Sequence, residues 1–261
     1  MRRMPIILLC IILLWTQTAA LAETDSTMPE LDGIADEALQ TAKLQQFDQT
    51  KVLLKRFSDA FVTRGREERA MNMDELRVLT VSYNDAYEAV TRADLDVEQA
   101  INRVTTFRLV VDALASKYQP LWSQMKTPIM SSFEQVKNAA QEGDQEAYNI
   151  RLNQFLSKYS IIQPSLKVDL SVEKLQKLDA RIAFIDRYRS DIIQNDNSAE
   201  LEALESELKA LFDEAQEDEA DPSLWWVIIS TGSIIILTLS YVSWRKYRGE
   251  KEDKRKHGQN D

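Results

Sequence analysis

Carboxylates are the side chains in this sequence most suggestive of chemistry, and some stand in pairs: Glu67 with Glu68, and Asp74 with Glu75. Two carboxylates flanking a glycosidic bond can cleave it, one as acid and the other as base or nucleophile. That chemistry needs a cleft in which burial raises one of the two pKa values. These pairs instead lie near Arg64, Arg66 and Arg69, the pattern of a solvated face. Asp94 with Asp96, and the run Asp213, Glu214, Glu217, Asp218, Glu219 and Asp221, hold enough charge to attract calcium. Neither has the alternating oxygen ligands, central glycine and terminal Glu of an EF-hand loop.

Other chemistries lack their residues. The single cysteine is Cys10 and the single histidine is His257. Between residues 23 and 222 there is therefore no disulfide, Cys/His zinc site, Ser-His-Asp triad or Cys-His nucleophile pair. The glycines of that region, Gly33, Gly65 and Gly143, are too scattered for a phosphate-cradling loop. The sequence predicts no catalytic residues, no cofactor and no metal site. Trp122, the one tryptophan between 23 and 222, stands with Tyr118, Pro120 and Phe133 beside a helix break. Such an aromatic either anchors a protein or glycan partner or fills the core.

The elements that must position these residues begin with the two ends. Arg2 and Arg3 precede an apolar stretch from Ile6 to Trp15, and Ala20 and Ala22 supply the small residues of a signal-peptidase site. Residues 1–22 are thus expected to be a signal peptide, with Cys10 a filler of its apolar run. Leu224 to Trp244 carries no charge, and twenty-one helical residues reach about 30 Å, the thickness of a bilayer core. Trp225 and Trp226 at one end and Tyr241 and Trp244 at the other are placed as interface anchors. Arg245, Lys246 and Arg248 follow directly and predict a stop-transfer signal with the C-terminus cytoplasmic. The expected layout is a signal peptide (1–22), an extracytoplasmic domain (23–222), one transmembrane helix (223–244) and a basic tail (245–261). Gly232 has no small residue four positions away, so no GxxxG dimer motif is formed.

The 23–222 region is strongly acidic. Setting aside Arg2, Arg3 and the charges after 222 leaves 23 basic and 38 acidic residues, a net charge of −15. Such a surface repels nucleic acid and keeps a domain soluble. Apolar residues recur every three or four positions along it. Leu175, Leu178, Ile182, Ile185 and Ile192 mark one helix, and Leu201, Leu204, Leu208 and Leu211 mark the next. Asn195 to Ser198 separate the two, with Asn197 and Glu200 spaced as a capping box. Earlier helices are predicted near 31–45, 48–63, 67–91, 94–118, 121–141 and 144–160, with Pro120, Pro128 and Pro164 as boundaries or a kink. The fold class is all-α, a multi-helix array or bundle, with one C-terminal transmembrane helix.

A faint repeat runs through it. Leu31, Ala38, Ala42, Leu54, Phe57 and Phe61 fall onto Ile129, Val136, Ala140, Leu152, Phe155 and Tyr159 at a constant offset of 98 residues. Each copy has a helix with small residues, a polar break at Gln45-Gln46 or Glu142-Gly143, and a helix ending in aromatics. Hairpins of this kind resemble tetratricopeptide units, which stack into concave surfaces.

The segment from Leu31 through Leu39 (LDGIADEAL), the stretch Phe57-Ser58-Asp59-Ala60-Phe61, the cysteine-free helical region and the C-terminal anchor together resemble the YpjB family of sporulation proteins from Bacillus-type bacteria. The resemblance covers nearly the whole chain. It implies a membrane-associated role in endospore formation and carries no residue-level function. The expected function is that of a membrane-anchored, non-enzymatic interaction protein that binds a protein partner. The alternative is an extracytoplasmic ligand or peptide sensor acting through a membrane partner, which would need a deep pocket with converging polar groups.

Overall fold

The computed structural model describes residues 27–68, 71–116, 119–194, 198–217 and 222–257. The signal-peptide reading, with Ala20, Ala22 and Cys10, lies outside the described residues, as do Tyr118 and the break at 195–197. Among the described residues there are ten α-helices, one 3₁₀ turn and no strand. The helices are α1 (Thr27–Lys43), α2 (Phe47–Glu68), α3 (Met73–Thr91), α4 (Val97–Ala115), α5 (Lys126–Gln141), α6 (Gln145–Asp169), α7 (Val172–Arg187), α8 (Arg189–Gln194), α9 (Ser198–Glu217) and α10 (Pro222–His257); the 3₁₀ turn is Leu121–Met125. The chain divides into two compact units at Ala210 and Leu211.

In the first unit, α1 packs on α2 and α4, and α3 packs on α4 and α2, so four helices close into a bundle. Its core is the set that helical spacing selects: Leu31, Ile34, Ala35, Ala38 and Ala42 from α1 meet Leu54, Phe57, Leu79, Ala86, Val104, Phe107 and Val111. Phe107 meets Phe57 edge to face at 4.8 Å. Helix α4 also packs on α6 and on the 3₁₀ turn. It is consequently buried on most sides, and even Arg108 and Asp112 on it are hidden.

The order of helices follows the 98-residue offset beyond the first two. Thr27–Lys43 and Phe47–Glu68 recur as Lys126–Gln141 and Gln145–Asp169, and Met73–Thr91 recurs as Val172–Arg187, with α9 in the place of α4. The turns agree bond for bond. Gln45 and Gly143 both have positive φ, 58° and 69°. Each closes a helix with the same pair of bonds: Gln45 N–H to Ala42 and Gln46 N–H to Thr41, then Gly143 N–H to Ala140 and Asp144 N–H to Ala139. This is the Schellman arrangement, in which a left-handed residue lets the chain leave the helix while its last carbonyls stay bonded. In the first repeat the array-or-bundle alternative settles as a bundle, because α1 returns to α4 instead of leaving an open stack.

Within the second repeat, α5 packs on α6 while α7 and α8 pack on α6. Helix α9 buries Leu201, Leu204 and Leu208. Ion pairs also fasten it: Glu205 with Lys137 of α5, Glu200 with Arg181 of α7, and Glu207 held by two nitrogens of Arg181 at 3.1 and 3.2 Å. Several boundaries differ from expectation: α2 runs on to Glu68 and α3 begins only at Met73 where one helix over 67–91 was expected, and residues 121–125 form the 3₁₀ turn. Helix α6 continues through Pro164 to Asp169. An interior proline forfeits one helical bond and costs about 3 kcal/mol, but Ile161, Ile162, Ser165 and Leu166 are buried on both sides of it and hold the helix together. The helix expected through Ile192 is interrupted at Tyr188, whose backbone (φ −106°, ψ 36°) leaves the helical region.

The second unit contains α10, one helix from Pro222 to His257. Val227–Tyr247 within it is long and apolar enough to cross a membrane, and none of that stretch is buried by the protein. The helical backbone continues past Trp244 through the basic residues that follow.

Candidate functional site at the joint between the repeats

The joint between the two repeats, the turn Leu121–Met125, is held by side chains that sequence reasoning did not select. Arg108 stands in the middle of α4 with its side chain only 7% exposed. Its guanidinium gives two hydrogen bonds to the Asp32 carboxylate, at 2.7 and 3.2 Å, and one to Asp36 at 3.4 Å. Asp32 and Asp36 share one face of α1, four residues apart, so a single planar fork can span both. One turn further along α4, Asp112 lies 3.8 Å from Arg108 and accepts the backbone N–H of Leu121 at 2.7 Å. That bond draws the joint back onto the end of α4. Burial pushes the Asp112 carboxyl up, while the Leu121 N–H and Arg108 pull it down.

Trp122 follows Leu121 and is 2% exposed. It fills the core and does not present an aromatic surface to a partner. Its indole N–H donates to Asp169 at 2.6 Å. Asp169 is the last residue of α6, and beside it Val168 packs against the core of the first repeat. Asp169 itself reaches solvent; desolvation by its surroundings pushes its carboxyl up to about 6, while the indole lowers it and the Asp112 charge raises it. Asp32, Asp36, Arg108, Asp112, Trp122 and Asp169 thus form one polar network linking α1, α4, the joint and α6. A signal for it was legible: Arg108 and Asp112 interrupt the otherwise apolar run from Phe107 to Leu114.

Three of the carboxylates singled out from sequence have local duties instead. Glu75 and Asn72 form a capping box at the start of α3. Asp96 caps α4 through the N–H of Gln99. Asp94 pairs with Arg92 at 3.2 Å, which holds its carboxyl below the usual range. Among the described residues no group of three or more His, Cys, Asp or Glu is placed to hold a metal ion. Trp225, Trp226, Arg245, Lys246 and Arg248 all fall within α10, and Tyr241 and Trp244 lie exposed on it with ring centroids 6.5 Å apart.

Between α4 and α6 runs a groove of about 250 Å³ lined by Asp96, Gln99, Asn102, Arg103, Thr106 and Ser157 among others. It is polar and open to solvent, unlike the deep pocket expected of a sensor.

The model of the family described as "Sporulation protein YpjB (SpoYpjB)" matches residues 28–256. The chain is 31% identical to the YpjB protein of Bacillus subtilis (strain 168) over 258 residues, covering 98% of this chain and 97% of that protein. No solved structure matches. The segment that carried the resemblance includes Asp32 and Asp36, the two α1 partners of Arg108. With a match that extends from α1 to the end of α10, the chain belongs to the YpjB family of sporulation proteins.

Proposed function

We propose that the protein is a membrane-anchored, non-enzymatic interaction protein of sporulation, whose helical bundle lies outside the cytoplasmic membrane and binds a protein partner there. The observation that carries this reading is α10. Its apolar stretch Val227–Tyr247 is left wholly uncovered by the protein, and an exposed apolar surface of that length calls for a lipid environment. Basic residues begin at Arg245, at the end of the stretch, and acidic ones precede it, which favours a cytoplasmic C-terminus. Family membership supports the sporulation role. Protease added to intact protoplasts should digest the bundle and spare the tail; a protected bundle would overturn the topology. Deleting the gene should lower spore yield with vegetative growth unchanged, and normal spore counts would remove the sporulation role.

The alternative, a ligand or peptide sensor, would have to use the shallow polar groove between α4 and α6. Thermal-shift screening of the full chain in detergent against wall fragments and peptides tests it. If none shifts the melting temperature of the parent more than that of an Arg103→Ala, Asn102→Ala variant, the groove is only hydrated surface.

A further inference from the structure

Helix α7 is buried on one side only. Leu175, Leu178, Ile182 and Ile185 are its buried residues. Its flanks are tied down as well, Asp179 to Tyr159 and Gln163 of α6, and Arg181 to Glu200 and Glu207 of α9. The side that remains carries Glu173, Gln176, Ala180, Ala183, Phe184 and Arg187, all exposed. A surface helix ordinarily shows charged and polar residues there. Here two alanines and a ring occupy its middle. Phe184 is 39% exposed, and its ring centroid lies 4.7 Å from that of Tyr188, which is 41% exposed. Among the described residues outside α10, these two are the exposed aromatic side chains, and aromatics are the residues that protein interfaces enrich. Helix α3, the counterpart of α7, instead presents Thr80, Val81 and Asn84.

The charges along this face are opposite and equidistant about Ala180. Glu173 stands seven residues before it and Arg187 seven after, which puts each about 10 Å away on the same side of the helix. Neither side chain has an ion-pair partner among the described residues. Two copies of α7 laid antiparallel about a two-fold axis at Ala180 bring Glu173 of each against Arg187 of the other, with Phe184 opposite Gln176. A two-fold contact makes every such pair twice. Ala180 and Ala183 let the two backbones approach. A parallel arrangement would set Glu173 against Glu173 and Arg187 against Arg187, which disfavours it. The whole of α7 has four basic and three acidic residues. Two strongly acidic domains can therefore meet here without the like-charge repulsion that their surfaces otherwise impose.

We propose that the outer face of α7 is a self-association surface, on which a second copy of this chain docks antiparallel with Ala180 at the two-fold axis and Glu173 paired with Arg187 on either side. The contact is short, since sixteen helical residues reach about 24 Å. It therefore makes a reversible dimer, which anchoring of both copies in one bilayer strengthens by raising their effective concentration. The pairing goes beyond the function proposed above and holds whichever way α10 crosses a membrane. Detergent-solubilised chain suffices to test it, so a failed topology experiment leaves it standing.

With Cys10→Ser the full chain has no other thiol, so single cysteines can be placed at will. In mild detergent at high protein concentration, Ala180→Cys should be linked into a dimer by a short bismaleimide, whose reach of about 8 Å matches the spacing of packed helices. Glu173→Cys and Arg187→Cys each stand about 20 Å from their own copy across the two-fold axis, and alone should link at least about fivefold less. Mixed together, those two variants should link to each other. Val81→Cys, exposed on α3, measures random collision. Adding Glu173→Lys to Ala180→Cys should lower linking at least about threefold, because the reversal acts at both ends of the contact, and adding Arg187→Glu as well should restore it. All these positions are exposed, so far-UV circular dichroism should be unchanged. Linking at position 180 no greater than at position 81 overturns the proposal. Equal linking at positions 173, 180 and 187, or a charge reversal that the second reversal does not rescue, overturns it too.

Discussion

Replacing Arg108 with methionine tests whether the network at the joint is energetically coupled. Methionine keeps an unbranched apolar stem and removes the charge. The consequence depends on what each partner can do once the guanidinium is gone. Asp32 and Asp36 have side chains 32% and 47% exposed and can rehydrate, whereas Asp112 is 12% exposed and cannot. Breaking a buried pair from one side costs about 3–5 kcal/mol, and a pair whose partner reaches water is worth about 0–1 kcal/mol. The buried share is carried mainly by Asp112, so Arg108→Met should cost about 3 kcal/mol. Adding Asp112→Asn should then restore about 1 kcal/mol or more, because the amide oxygen still accepts the Leu121 N–H while the stranded charge disappears. Urea unfolding of the full chain in mild detergent, followed by far-UV circular dichroism and compared at constant m-value, measures both. The reasoning is refuted if Arg108→Met lies within about 0.5 kcal/mol of the parent, or if the double variant is less stable than the single one.

Tyr148 is fully buried, its hydroxyl has no hydrogen-bond partner among the described residues, and burial pushes its pKa up to about 12. Tyr148→Phe should leave stability unchanged or raise it by up to about 1 kcal/mol in thermal unfolding, and a loss of that size would contradict the orphan hydroxyl. Gln45 and Gly143 occupy equivalent left-handed positions, so Gln45→Gly should stabilise and Gly143→Ala destabilise, each by about 0.5–1 kcal/mol. Equal signs for the two changes would show that the turns are not equivalent. The Asp169 carboxyl is raised to about 6 in the folded protein, so its contribution to stability is present below its ordinary pKa and is lost as the pH rises through about 6. Asp169→Asn should therefore flatten the decline in melting temperature over that interval, and an undiminished decline would assign it to another group.

The sequence alone determined the helices and their repeat, because an apolar residue every three or four positions is a local property that survives in any packing. Leu31, Ala38, Leu54 and Phe57 are buried, as are Ile129, Val136, Leu152 and Phe155. The long uncharged stretch after Leu224 was legible for the same reason. What the sequence left open was which helix meets which. Asp32 and Arg108 are 76 residues apart, and Trp122 and Asp169 are 47 apart. No local pattern distinguishes those carboxylates from the many on the surface. Only the return of α1 onto α4, and of the end of α6 onto the joint, brings them within bonding distance. Tertiary structure likewise turned Trp122 inward: an aromatic beside a helix break can face either way until the helices around it close, and here the indole is buried while its N–H reaches Asp169 at the end of α6. Pro164 makes the same point, since a proline signals a helix end locally, and only burial of Ile162 and Leu166 around it made continuation the lower free energy.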